Sequence, residues 1–166
     1  MSNADYERDF TSTGHKILKH PDAIKKFQDT GIATPIVMHL MLTSECQLRC
    51  EFCSVWNRKQ HENISFDSIK WLMPQMRELG LRAVILSGGG EPLLHPEFEE
   101  IIAYLASQGL KIGVITNGLK LSELSETTIN SFTWVRISLN ALDYVKASKL
   151  RLPFFNKNTV LGGSYI

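Results

Sequence analysis

Apolar residues in this chain gather into short unbroken runs, and between the runs they recur at helical spacing. The runs cover positions 36–42 (Ile-Val-Met-His-Leu-Met-Leu), 83–86 (Ala-Val-Ile-Leu), 110–115 (Leu-Lys-Ile-Gly-Val-Ile) and 134–138 (Trp-Val-Arg-Ile-Ser). Runs of this length suit strands covered on both faces, as in parallel sheets, and make His39 a core or wall residue of the first strand. From Ser65, a residue type that caps helices, the residues Ile69, Leu72, Met73, Met76 and Leu79 trace one helical face that stops at Gly80. Pro74 falls inside that helix and is expected to kink it. Phe98, Ile101, Ile102 and Leu105 predict a second helix over about 96–108, closed by Gly109, and the polar segment 122–130 predicts a third. Strands alternating with helices at this rhythm argue for an α/β protein built of parallel β/α units.

The two ends carry weaker patterns. Ile17, Leu18, Ile24 and Phe27 lie among Lys16, Lys19, Lys25 and Lys26, and Pro21 opens a short helix whose lysines form a solvated face or a basic docking surface. We read positions 1–34 as a leader and 35–166 as the core. Near the other end, 142–150 predicts a short helix stopped before Pro153, and 159–166 a fifth strand after which the chain stops. A strand left bare there would invite association, so the chain is expected to be a fragment of a longer protein.

Composition narrows the classes. At 166 residues, 43% hydrophobic and 21% charged, the chain fits one soluble domain, and a net charge of +1 offers no electrostatic footprint for nucleic acid or acidic membranes. No apolar run approaches the ~20 residues of a membrane span, and the polar start Met1-Ser-Asn-Ala-Asp does not resemble a secretory signal. All three cysteines fall within Cys46-Gln-Leu-Arg-Cys50-Glu-Phe52-Cys53, an odd number that excludes a closed set of disulfides. A cytoplasmic, reducing location follows as the expectation.

Three thiols so close in sequence can meet at a metal centre. Thiolates serve zinc and iron–sulfur clusters alike. A zinc site would need a fourth ligand, such as His39 or His61, and would make the chain a zinc-stabilised interaction domain. Inert, buried cysteines are the third reading.

The C-x3-C-x-aromatic-C spacing, with Phe52 as the aromatic, resembles the signature of the radical S-adenosylmethionine (radical SAM) superfamily. One strand and one helix later, Gly88-Gly89-Gly90-Glu91-Pro92 resembles its GGEP motif, whose backbone contacts the methionyl amine. Thr116-Asn117-Gly118 resembles its third-strand ending, and Ser138-Leu139-Asn140-Ala141 its fourth-strand SLDA ending, with Asn140 where aspartate is more usual. This resemblance implies a partial (β/α) TIM-like barrel of parallel strands, here truncated after the fourth or fifth strand. It implies a [4Fe–4S] cluster held by Cys46, Cys50 and Cys53, with one iron left for S-adenosylmethionine. Cofactor contacts are implied for Phe52, Gly88, Gly89, Gly90, Glu91, Asn117, Ser138 and Asn140, with bracing of the glycine loop by hydrogen bonds as the other reading of Glu91. The implied chemistry is reductive cleavage of the cofactor to a 5′-deoxyadenosyl radical that abstracts hydrogen from a small-molecule or peptide substrate. An electron donor such as flavodoxin or ferredoxin would supply the electron. Arg49, Trp56, Asn57 and Arg58 are solvated loop residues or a shield around the cluster, and a truncated, inactive iron–sulfur module is the rival reading.

Overall fold

The computed structural model describes residues 16–57 and 62–166. His61 and Arg58, named above as a zinc ligand and a shielding residue, lie outside the described residues. Five strands, β1 (Val37–Leu40), β2 (Ala83–Leu86), β3 (Lys111–Thr116), β4 (Trp134–Ser138) and β5 (Val160–Ser164), form one sheet in sequence order. Every neighbouring pair is parallel, with His39 beside Ile85, Ile85 beside Gly113 and Gly113 beside Trp134. Consecutive parallel neighbours joined through helices are the repeating step of a β/α barrel, and this chain forms part of one.

Helices α1 (Pro21–Thr30), α2 (Phe66–Leu79), α3 (Phe98–Ser107) and α4 (Glu126–Asn130) connect and flank the strands. The cap expected at Ser65 is present, its side chain accepting from Ser68 N at 3.1 Å, and α2 runs on through Pro74 to the Gly80 stop. Region 142–150 holds two short 3-10 turns, Leu139–Asp143 and Ala147–Lys149, in place of the expected helix. Helix α1 buries no residue. It is tied to the rest by Arg82, which bonds Asp22 and His20, and by Lys26 reaching the Leu79 carbonyl.

The core lies on one side of the sheet. Leu40, Val84, Leu86, Ile112, Val114, Val135 and Ile137 pack against Ile69, Met73, Ile101, Ile102, Leu105 and Ile129 of the helices. Full burial of each such aliphatic side chain is worth about 1.5–3 kcal/mol, so this face carries most of the fold's stability. The alternate strand positions form a second, inner face, which among the described residues lies outside the helix-packed core cluster. His39 is on it, exposed, with Nδ1 3.3 Å from Ser87 Oγ. This corrects one expectation, that the first strand is covered on both faces, and of the two readings of His39 it leaves the wall residue rather than the core one. A continuous apolar run does not reveal that one face of a barrel strand looks into an open interior.

Candidate functional site: three thiols against a glycine loop

All four polar strand endings lie at the carboxyl ends of the strands, the edge where parallel β/α folds bind ligands. The cysteine loop leaves β1 and is closed at its base. Thr43 and Asn63 form an isolated antiparallel bridge, Ser44 N donates to Glu62 O at 2.9 Å, and Ile64 N donates to Leu42 O at 2.9 Å. Within the loop Cys53 N bonds Cys50 O at 2.9 Å, a tight turn that keeps these two thiols on one short arc. Cys46, Cys50 and Cys53 are all free; the first is exposed and the others are half-buried.

A cavity of about 210 Å³ is lined by the three cysteines, by Gly88, Gly89 and Gly90, and by Leu48, Arg49 and Trp56 among others. It joins two motifs that 34 intervening residues separate in the sequence. Gly88 and Gly89 hold positive φ of 71° and 69°, which glycine adopts without strain. At Gly90 a side chain is excluded for another reason: a Cβ there would collide with the Glu45 carbonyl of the cysteine loop. Backbone can therefore approach backbone, and Glu91 N donates to Glu45 O at 2.7 Å.

Glu91 fulfils the bracing role. Its side chain, 3% exposed, accepts from Leu93 N at 3.2 Å and Thr116 Oγ1 at 2.6 Å through one oxygen, and from Asn117 N at 2.8 Å through the other. One carboxylate thus ties the glycine loop to the third strand ending. Burial pushes the Glu91 carboxyl above its ordinary 4.5, and the bonds from Asn117, Thr116 and Leu93 pull it part of the way back. The native state consequently holds that proton more tightly than the unfolded chain. Its contribution to stability is full below the ordinary value and is lost as pH rises through the raised native one. Urea unfolding of the wild type and Glu91→Gln across mildly acid to neutral pH is expected to show the wild type losing stability relative to the variant by at most about 1.4 kcal/mol per pH unit. Parallel pH profiles would mean that Glu91 is not the group that titrates.

The remaining predicted residues are placed as follows. Asn117 is buried, and its Oδ1 accepts from Gln47 Nε2 of the cysteine loop at 3.3 Å. Ser138 is half-buried, its Oγ 3.5 Å from Asn140 Oδ1, and buried Asn140 donates to the Ile166 carbonyl at 3.3 Å. Phe52 is 49% exposed and so is no core aromatic. None of these four lines the thiol and glycine cavity. Arg49, Trp56 and Asn57 are exposed, and the first two also border the cavity. Two participants escaped the sequence reading: Gln47, which links Cys46 to Asn117, and Tyr144, whose hydroxyl accepts from Glu51 N at 3.0 Å. Gln47 was open to notice from its place inside the cysteine cluster; Tyr144, 93 positions away, carried no signal.

Among the described residues no three His, Cys, Asp or Glu side chains converge as ligands of a single metal ion, and His39 is engaged with Ser87. A cubane cluster asks for a different arrangement, one thiolate on each of three separate irons. The donor set of three soft sulfurs, the glycine backbone lining the same cavity and a buried amide donor on Asn117 without a partner fit such a cluster with a small ligand beside it.

Fold and site together define a partial parallel β/α barrel that presents three thiols and open backbone at one mouth. Comparison with known proteins makes the class specific: residues 40–157 match the Radical SAM superfamily, and the chain belongs to it. Members of this superfamily bind a [4Fe–4S] cluster and S-adenosylmethionine. The chain is 32% identical over 115 residues to a probable GTP 3′,8-cyclase of Methanococcus maripaludis, covering 67% of this chain and 38% of that protein. It is 32% identical over 123 residues to the PqqA peptide cyclase of Methylorubrum populi, covering 72% of this chain and 32% of that protein. The chain thus spans about a third of the length of these relatives. In fold it is similar to BtrN solved with AdoMet and 2-DOIA (TM-score 0.55, 16% identity, 78% of this chain and 56% of that one). It is similar also to Streptococcus suis SuiB bound to S-adenosylmethionine (TM-score 0.55, 18% identity, 78% and 31%).

Proposed function

We propose that this chain forms the cluster- and cofactor-binding part of a radical SAM enzyme, with Cys46, Cys50 and Cys53 as the iron ligands. The observation that carries the proposal is the single cavity bordered by all three thiols and by Gly88, Gly89 and Gly90. When bound, the cluster and S-adenosylmethionine supply a one-electron cleavage that starts hydrogen abstraction; the cofactors carry the hard chemistry. This chain's residues bind and orient. The glycine loop offers backbone carbonyls and amides at close approach, Glu91 holds that loop to Asn117, and Trp56 and Leu48 border the thiols with apolar surface that limits water. Reduction by a flavodoxin or ferredoxin, and a cytoplasmic location, accord with the three unpaired thiols; among the described residues no helix is long and apolar enough to cross a membrane.

The relative named a probable GTP 3′,8-cyclase directs attention to an anionic substrate, and the inner face supports one. Its strand positions include His39, Lys111 and Arg136 and no Asp or Glu. Arg136 lies with its guanidinium carbon 5.7 Å from the Trp134 ring centroid, a cation over an aromatic plane. With GTP as the probe, Arg136→Gln is expected to weaken binding about tenfold or more in calorimetry, the effect of losing one charged hydrogen bond. Equal binding would remove the anion from the reading.

The function itself is tested by anaerobic reconstitution with iron and sulfide, followed by reductant and S-adenosylmethionine. Labile sulfide and the formation of 5′-deoxyadenosine support it. A colourless zinc protein overturns it, and a cluster without cofactor cleavage leaves the inactive module in its place.

A further inference from the structure

The cysteine loop is fastened to three strand endings in succession. Glu45 O accepts from Glu91 N at 2.7 Å and Gln47 Nε2 donates to Asn117 Oδ1 at 3.3 Å, so its first arm is held to the second and third endings. Its second arm, which carries Cys50 and Cys53, is tied to the fourth: Glu51 N donates to the Tyr144 hydroxyl at 3.0 Å, across 93 positions of sequence.

That N–H shares a peptide unit with the carbonyl of Cys50. The carbonyl accepts from Cys53 N at 2.9 Å, so both polar ends of the Cys50–Glu51 peptide are engaged. A peptide unit is planar, and this one cannot rotate about its flanking bonds without giving up one partner or the other. The Cys50 backbone is thereby fixed to Cys53 on one side and to the barrel on the other.

Tyr144 is itself well seated. Its N–H donates to Ala141 O at 3.1 Å at the close of the 3-10 turn Leu139–Asp143. Asn140 and Ala141 of that turn are buried, Asn140 Nδ2 donates to the Ile166 carbonyl at 3.3 Å, and Asp143 Oδ1 accepts from the Tyr165 hydroxyl at 3.2 Å. The Tyr144 residue is 39% exposed and stands outside the hydrophobic core. What this position supplies is an oxygen, not packing.

We propose that Tyr144 is a positioning residue for the iron ligand Cys50: its hydroxyl, by accepting the Glu51 N–H, fixes the Cys50–Glu51 peptide and holds the second arm of the cysteine loop to the fourth strand ending. The proposal rests on the function proposed above and adds a residue to it. A ligand ordered before the metal arrives need not be ordered by binding, and outlying hydrogen bonds orient the ligating side chains of metal sites. Loss of the hydroxyl leaves Cys50 its thiol but frees its backbone, so the cluster assembles and is held less firmly.

The bond is read first in the metal-free protein, by amide hydrogen exchange followed by NMR. In Tyr144→Phe the Glu51 amide is expected to exchange about fivefold faster than in the wild type, the effect of one neutral hydrogen bond, with circular dichroism unchanged. After anaerobic reconstitution the variant is expected to carry wild-type iron and sulfide and to lose iron to the chelator ferrozine about fivefold faster. Its reduced cluster is expected to show an altered g anisotropy in EPR, which a change in overall stability alone does not produce. Tyr144→Leu is expected to match Tyr144→Phe; a defect in the leucine variant alone assigns the effect to the ring and overturns the proposal. Wild-type Glu51 exchange in Tyr144→Phe overturns it too, as does faster exchange accompanied by wild-type iron release and EPR. A wild type that takes up no cluster overturns the function on which this rests, while Glu51 exchange in the metal-free protein still reads the bond separately.

Discussion

Cys50→Ala is expected to abolish the visible chromophore and to reduce bound iron and labile sulfide to background after anaerobic reconstitution. Cys50 is the middle member of the three, joined to Cys53 through the 2.9 Å bond between Cys53 N and Cys50 O, and it borders the same cavity as Cys46, Cys53 and the three glycines. Desolvation holds its thiol above the ordinary 9.0, with the neighbouring thiols Cys46 and Cys53 adding to the shift, so Cys50 resists ionising until a metal draws off its proton. Two remaining sulfurs cannot hold three irons of a cubane. The change should leave the fold intact, because Cys50 belongs to no part of the buried core. Circular dichroism unaltered alongside the lost iron is the expected pair of results; iron retained at the wild-type level would remove Cys50 from the ligand set.

Gly90→Ala is expected to damage the site nearly as severely while keeping all three cysteines. The added methyl group would meet the Glu45 carbonyl and the backbone of Ser44, and backbone yields less readily than the end of a flexible side chain. Relief requires the glycine loop and the cysteine loop to move apart, which breaks the 2.7 Å bond from Glu91 N to Glu45 O. Overpacking of this kind costs about 1–3 kcal/mol. In the proposed enzyme, separation of the loops opens the cavity to water, so slower cluster assembly and at least tenfold weaker S-adenosylmethionine binding are expected in calorimetry on the reconstituted protein. Wild-type affinity in Gly90→Ala would mean that close approach of the two loops is dispensable.

Much of this architecture was legible in the chain. Strand β4 matches its run at both ends, and the Ser65 cap, the Gly80 stop and the burial of Ile69, Met73, Ile101, Ile102 and Leu105 follow from spacing alone. These features are local, and local patterns record local structure. What the pattern does not carry is which side of a strand faces an open interior. His39 sits in an unbroken apolar run yet is exposed, because alternate residues of β1 look toward the inner face. The segment 142–150 failed differently: its spacing permits a helix, but Asn140 and Ala141 are buried against the sheet and the chain winds into short 3-10 turns instead. At the site, the cysteines and glycines were readable because their residue types are scarce and their spacing is unusual. The partnership of Gln47 with Asn117, separated by 70 positions, becomes visible only when the loops are brought together.

Glu91 links endings that belong to three different strands: its backbone N–H binds the cysteine loop at Glu45, and its carboxylate binds its own loop at Leu93 and the third ending at Thr116 and Asn117. Such a linkage makes local fluctuation collective. No one of these loops can peel from the barrel mouth without stripping partners from the other two, so their amide protons should exchange with solvent through one shared opening event rather than three independent ones.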